Sequence, residues 1–121
     1  MKNVMIVDDE ALVLLDLVHT VEDLGYNVHS DATSLSGAFA ALEQSEPDVA
    51  LLDIDVAGEP VWPVARTLTE RNIPVIFISA NLSHAQLTEE FGGCPTLEKP
   101  ASPRDIAEAL RTFDGPSSCA A

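Results

Sequence analysis

Cationic residues are scarce in this chain: six Lys and Arg stand against twenty Asp and Glu, a net charge of −14. Such a field repels phosphate backbones and anionic lipid surfaces, which weighs against binding nucleic acid or membrane. It favours divalent cations and basic protein surfaces, although much of the acidity serves solubility. Cysteine is nearly absent. Cys94 and Cys119 make neither a disulfide framework nor a C-x-x-C pair of the kind that holds zinc. No apolar run approaches the length of a membrane span, and the start at Met1-Lys2 lacks the apolar core of a signal peptide. The expected setting is cytoplasmic and reducing. Internal repeats are lacking too, which excludes a solenoid or array.

What the chain does have is enough apolar residue, 46% of 121 positions, to build one real core. Val4-Met5-Ile6-Val7 reads as a buried strand running into Asp8-Asp9-Glu10. Leu14, Leu17, Val18 and Val21 then fall at helical spacing, with Gly25 closing that helix. Tyr26 to Asp31 alternates and carries polar residues, as an edge strand does. Leu35, Ala38, Phe39 and Leu42 predict a second helix, with Ser34 as its cap and Glu46-Pro47 as its end. Val49 to Asp53 is a strand apolar on both faces, and Ile54 to Pro60 reads as a loop. Val61, Val64, Ala65 and Leu68 predict a third helix, with Pro63 tolerated in its first turn. Pro74 to Ser79 is another buried strand. A short helix is expected from about Ser83 to Glu90, and a last strand from Cys94 to Glu98. Ser102 and Pro103 open the last helix, whose face is Ile106, Ala109, Leu110 and Phe113.

Five alternations of strand and helix imply an α/β domain over residues 1–114, followed by a disordered tail at 115–121. The sheet is parallel, with right-handed crossovers and helices on both faces. Five strands in the doubly wound order 2-1-3-4-5 place the switch point between the first and third. That crevice would collect Asp8 and Asp9 with Asp53, while Ser79 and Lys99 would end the neighbouring strands. Crowded carboxylates raise one another's pKa unless a cation intervenes. Mg²⁺ suits such a site because it needs few protein ligands and leaves positions for water and phosphate oxygens. Lys99 and the Ser79 hydroxyl would hold the remaining oxygens of a phosphoryl group carried on Asp53. Singly these residues mean little: an acidic pair after a strand usually faces a helix N-terminus, and Lys99-Pro100 resembles a simple turn. His19, His29 and His84 show no ligand spacing.

From about Lys2 to Phe113 the chain resembles the receiver domains of two-component response regulators, the CheY-like group with a flavodoxin-like (βα)5 fold. The resemblance rests on Val-Asp-Asp-Glu at 7–10, Leu-Leu-Asp-Ile at 51–54, Ile-Ser-Ala at 78–80 and Glu-Lys-Pro at 98–100. It implies that Asp53 accepts a phosphoryl group from a histidine kinase. It implies that Asp9 ligates Mg²⁺ directly, that Asp8 does so through water, and that Asp53 and the backbone carbonyl of Asp55 join them. Ser79, Ala80 and Lys99 would bind the phosphoryl group, and the bond before Pro100 would be cis. Catalysis would be confined to the domain's own phosphorylation and dephosphorylation.

Two departures stand out. The family carries an aromatic residue three places before its lysine, where this chain has Thr96. The Asp55 side chain adds a charge near the hydrolytic water. Gly58-Glu59-Pro60-Val61-Trp62-Pro63-Val64-Ala65 and Ile73-Pro74-Val75-Ile76-Phe77 resemble a subgroup paired with HWE and HisKA2 kinases. Only a short tail follows the last helix, so output through a downstream protein or a phosphotransfer partner is expected, from a monomer or weak homodimer. Two rivals remain: a haloacid-dehalogenase-like phosphatase built on Asp53-Ile54-Asp55, and an interaction module that is never phosphorylated. Trp62 is expected to be packed structure whose emission reports cation binding.

Overall fold

The computed structural model describes residues 2–80, 87 and 89–112. Strand β1 (Asn3–Val7) leads through helix α1 (Ala11–Asp23) to β2 (Asn27–Ala32), helix α2 (Leu35–Gln44) and β3 (Val49–Asp53). Two short strands follow, β4 (Asp55–Val56) and β5 (Glu59–Pro60). Then come α3 (Trp62–Glu70), β6 (Val75–Ser79), β7 (Thr96–Glu98) and helix α4 (Pro103–Arg111).

The five long-range strands form one parallel sheet in the order β2-β1-β3-β6-β7. With β4 and β5 set aside, this is the expected doubly wound order. Every residue of β3 and β6 is buried, as central parallel strands covered on both faces require. Their alternate residues feed two cores. Met5, Val7, Leu52 and Phe77 meet α2 and α3 on one face, while Ile6, Leu51, Ile76 and Ile78 meet α1 and α4 on the other. The register sets Val7 beside Leu52, Asp53 beside Ile78 and Ser79 beside Glu98, so the strands' carboxyl ends share one rim.

Local chemistry sets the helix limits. Gly25, at φ 92°, donates its N–H to the Glu22 carbonyl while Tyr26 donates to Val21, which closes α1 in a left-handed cap. Ser34 accepts the Gly37 N–H at the start of α2, and Ser102 with Asp105 forms a reciprocal capping box on α4.

The loop expected from Ile54 to Pro60 is instead an antiparallel hairpin of β4 and β5. Ala57 and Gly58 form its two-residue turn at φ 53° and 82°, values of a type I′ turn. Gly58 signals that turn in the sequence, but an alanine in the left-handed region is rare and Ala57 does not. The expected reduced state also needs correction, because Cys94 is disulfide-bonded. Part of the helix expected over Ser83–Glu90, together with His84, Phe113, Cys119 and the 115–121 tail, lies outside the described residues. Within that stretch Leu87 is helical and buried, and Phe91 and Cys94 are buried with it. Among the described residues no helix is long and apolar enough to cross a membrane.

Candidate functional site

The chain leaves β1 directly into a buried carboxylate. Asp8 donates its backbone N–H to the Ala32 carbonyl at 3.0 Å, which fixes the turn, and its Oδ1 accepts the Glu10 N–H at 2.9 Å. Its Oδ2 is buried and receives no well-directed hydrogen bond, although Lys99 Nζ stands 2.8 Å away in an ionic contact. Asp53 ends β3 at 7% exposure, its Oδ2 3.3 Å from the same Lys99 Nζ. Lys99 follows β7 and donates its backbone N–H to the Ser79 carbonyl at 3.0 Å. One ammonium therefore bridges carboxylates from two central strands while anchored to the end of a third.

Asp9 is exposed, and its Oδ2 accepts the N–H of Ala57 at 3.0 Å. The hairpin tip is thus pinned to the acidic pair. Ser79 is buried at the end of β6, and Ala80 beside it is exposed. The Lys99–Pro100 peptide is cis, as expected. Asp55 lies exposed on β4, and Thr96 lies exposed on the edge strand β7.

Burial pushes the Asp53 carboxyl up to about 6; Lys99 opposes the rise, and Asp8 and Asp9 add to it. Burial acts in the opposite sense on Lys99, but contact with Asp8 and Asp53 outweighs it and raises the ammonium above its ordinary range. Lys99 stays charged, and it alone does not neutralise the crevice.

A hard divalent cation fits this donor set. Asp8, Asp9 and Glu10 present carboxylate oxygens within 4.8 Å of one another, the hard oxygen donors such an ion takes. Asp53 stands outside that tight group and is joined to it through Lys99. Glu10 was not among the expected ligands; its place beside the acidic pair was the available signal. The Ala57 N–H had no sequence signal, because it arrives from 48 positions away. His29 serves structure, its ring bonding to Ser30 and Ser45.

Residues 4–111 match the family model of the response regulator receiver domain. The chain is 36% identical over 119 residues to the positive alginate biosynthesis regulatory protein of Pseudomonas aeruginosa, covering 95% of this chain and 48% of that protein. Among solved structures, SdrG from Sphingomonas melonis is 30% identical with a TM-score of 0.80, over 95% of this chain and 98% of the other. A CheY-like receiver domain protein from Methanospirillum hungatei superposes at TM-score 0.84 over 94% of each chain, and at 23% identity this likeness speaks for the fold. The chain spans about half the length of the curated relatives it matches. With the acidic rim, the bridging lysine and the sheet order in agreement, the chain belongs to the response regulator receiver-domain family, a family of signalling modules.

Proposed function

We propose that this receiver domain accepts a phosphoryl group on Asp53 from the phosphohistidine of a histidine kinase and signals through protein contacts that depend on it, or passes the group onward. The observation that carries this reading is the buried Asp53 carboxylate at the carboxyl end of β3, facing the ammonium of Lys99. A carboxylate oxygen attacks phosphorus in line, the P–N bond breaks, and the imidazole leaves as the neutral base once protonated. With a pKa of about 6, Asp53 is mostly ionised at neutral pH. Lys99 stabilises that carboxylate and then the phosphoryl oxygens, and the Ser79 hydroxyl and Ala80 backbone complete the cradle. Asp8, Asp9, Asp53 and the Asp55 carbonyl would hold Mg²⁺, with the Glu10 carboxylate beside Asp8 and Asp9. The ion supplies neutralisation of negative charge when bound.

Protein partners suit the surroundings of the site. A cavity of about 610 Å³ lies between α1 and the Lys99–Ala101 turn, lined by Leu12, Val13, Asp16, Lys99 and Pro100. Leu12 and Leu15 are exposed large apolar side chains on α1. The kinase is of the HWE/HisKA2 type on the strength of the Gly58–Ala65 and Ile73–Phe77 resemblance. The domain's catalysis ends at its own phosphorylation and dephosphorylation.

Intact-protein mass spectrometry tests the reading. With a small phosphodonor and Mg²⁺, the wild type gains one phosphoryl mass and Asp53→Asn gains none. Equal gain by the variant removes Asp53 as acceptor, and sustained turnover of a phosphomonoester favours the phosphatase instead.

A further inference from the structure

In this chain the position expected to carry a rotating aromatic is Thr96, exposed on an edge strand. The buried rings are elsewhere. Trp62, the first residue of α3, stacks on Phe91 at 5.6 Å and 19° and meets the edge of Phe77 at 5.8 Å. Phe77 and Phe91 close the triangle at 5.3 Å. Phe77 lies on β6 two residues before Ser79, so the trio touches the strand that delivers the hydroxyl to the crevice. One turn along α3, Arg66 grips Glu90 through two bonds of 2.6 and 2.9 Å. Trp62 and Arg66 thus latch the stretch before β7 onto α3.

The latch is joined to the acidic crevice by the hairpin. Its tip donates the Ala57 N–H to Asp9, and its base is closed by the Val61 N–H on the Ile54 carbonyl at 2.8 Å. Ile54, Val56 and Val61 are fully buried in the same core as the three rings, so the hairpin and the rings share one packed interior. Asp53 directly precedes this Ile54–Val61 unit, and Trp62 directly follows it. A shift of the hairpin is therefore delivered to the first turn of α3. The latch is suited to release: its ion pair is exposed, and such pairs contribute little and are screened by salt.

We propose that the β4–β5 hairpin transmits phosphorylation of Asp53 to a latch formed by Trp62 and Arg66 on Phe91 and Glu90, which loosens the Glu89–Cys94 stretch in place of an aromatic switch at position 96. The proposal rests on Asp53 being the acceptor. The coupling is a population shift between latched and released arrangements, both biased by the state of the crevice.

Trp62 is the chain's single tryptophan, so it reports the latch without a label. Acrylamide quenching of its emission is measured on the full chain with a small phosphodonor and Mg²⁺, alongside the intact mass. The quenching constant rises at least twofold in proportion to phosphoryl occupancy, and Asp53→Asn shows no rise. Arg66→Gln and Glu90→Gln show a raised constant before any donor is added, while their rates of mass gain stay within twofold of wild type. Full mass gain with an unchanged quenching constant overturns the latch alone. Absence of mass gain in the wild type overturns the acceptor assignment and the latch with it.

Discussion

The crevice between β1 and β3 is held by charge, whereas the side of the sheet from β6 towards β7 is held by packed rings. In the first region Asp8, Asp53 and Lys99 meet within 3.3 Å, and one carboxyl sits far above its ordinary range. In the second, Trp62, Phe77 and Phe91 pack with centroids 5.3–5.8 Å apart, and the charges of Arg66 and Glu90 stay at the surface. The charged region is poised to change when another charge arrives. Among the described residues the packed region has no titrating group in its interior, so it responds to displacement instead of to charge. Joining the two through a six-residue hairpin lets one rim bind and the other report.

The contrast can be broken most forcefully at Phe77, which is fully buried and contacts both other rings. Phe77→Ala removes a large core side chain and leaves a cavity, at a cost of about 3–5 kcal/mol. Urea denaturation at pH 5 and pH 8 should return the same loss, because among the described residues no titrating group lies in the ring cluster. A loss that varies strongly between those pH values would show that ring packing and crevice charge are not separate.

Asp53→Asn should act in the opposite direction and with the opposite pH behaviour. The folded carboxyl has a pKa of about 6 against an ordinary 3.8, so the fold holds this proton more tightly than the unfolded chain does. Below pH 4 both states are protonated and the group costs nothing. Between pH 4 and 6 the unfolded chain releases the proton first, so stability falls as pH rises, and above 6 the full penalty of about 3 kcal/mol is present. In metal-free buffer the Asn variant should exceed the wild type in stability by up to that amount at pH 7. The gap should close as pH falls through 6 towards 4. A gap that widens on acidification would mean that Lys99 dominates over burial at Asp53.

The same division explains what could be read from the sequence. Strand and helix order, the Gly25 cap, and the Ser34 and Ser102 caps all depend on residues a few positions apart, and each was legible. So were Asp8, Asp9, Asp53, Ser79 and Lys99, since a parallel sheet gathers strand ends on one rim whatever the loops do. The packed region was not legible. Phe91 stands beside Gly92-Gly93, which reads as a break, and its stacking partner Trp62 lies 29 positions back. Arg66 and Glu90 are 24 apart on the chain, with no helical spacing to announce them. Leu87, Phe91 and Cys94 stand at i, i+4 and i+7, but Phe91 lies in a turn and Cys94 in a bend, so no continuous helix carries that spacing. The hairpin was missed because its turn needs Ala57 in a conformation that glycine favours.

At the far end of the rim, the capping box on α4 gives a smaller effect that bears on neither region. Ser102 accepts the Asp105 N–H at 3.1 Å, so Ser102→Ala should cost about 1 kcal/mol in thermal or urea unfolding. Its phosphorylation and its Trp62 quenching should match those of the wild type. A changed quenching response would mean that general loosening, and not the hairpin, moves Trp62.

The smallest expected effect is at Thr96, and it separates the two regions most cleanly. Its side chain is exposed on the three-residue edge strand β7, where its backbone sits beside Phe77 in the sheet register. Thr96→Ala should therefore change stability by no more than about 0.5 kcal/mol. It should also leave intact the rise in Trp62 quenching on phosphorylation, because the route from Asp53 runs through the hairpin and not through β7. If Thr96→Ala instead abolishes that rise while the phosphoryl mass is still gained, position 96 transmits the signal despite lacking a ring. In that case the rings around Trp62 are core packing alone.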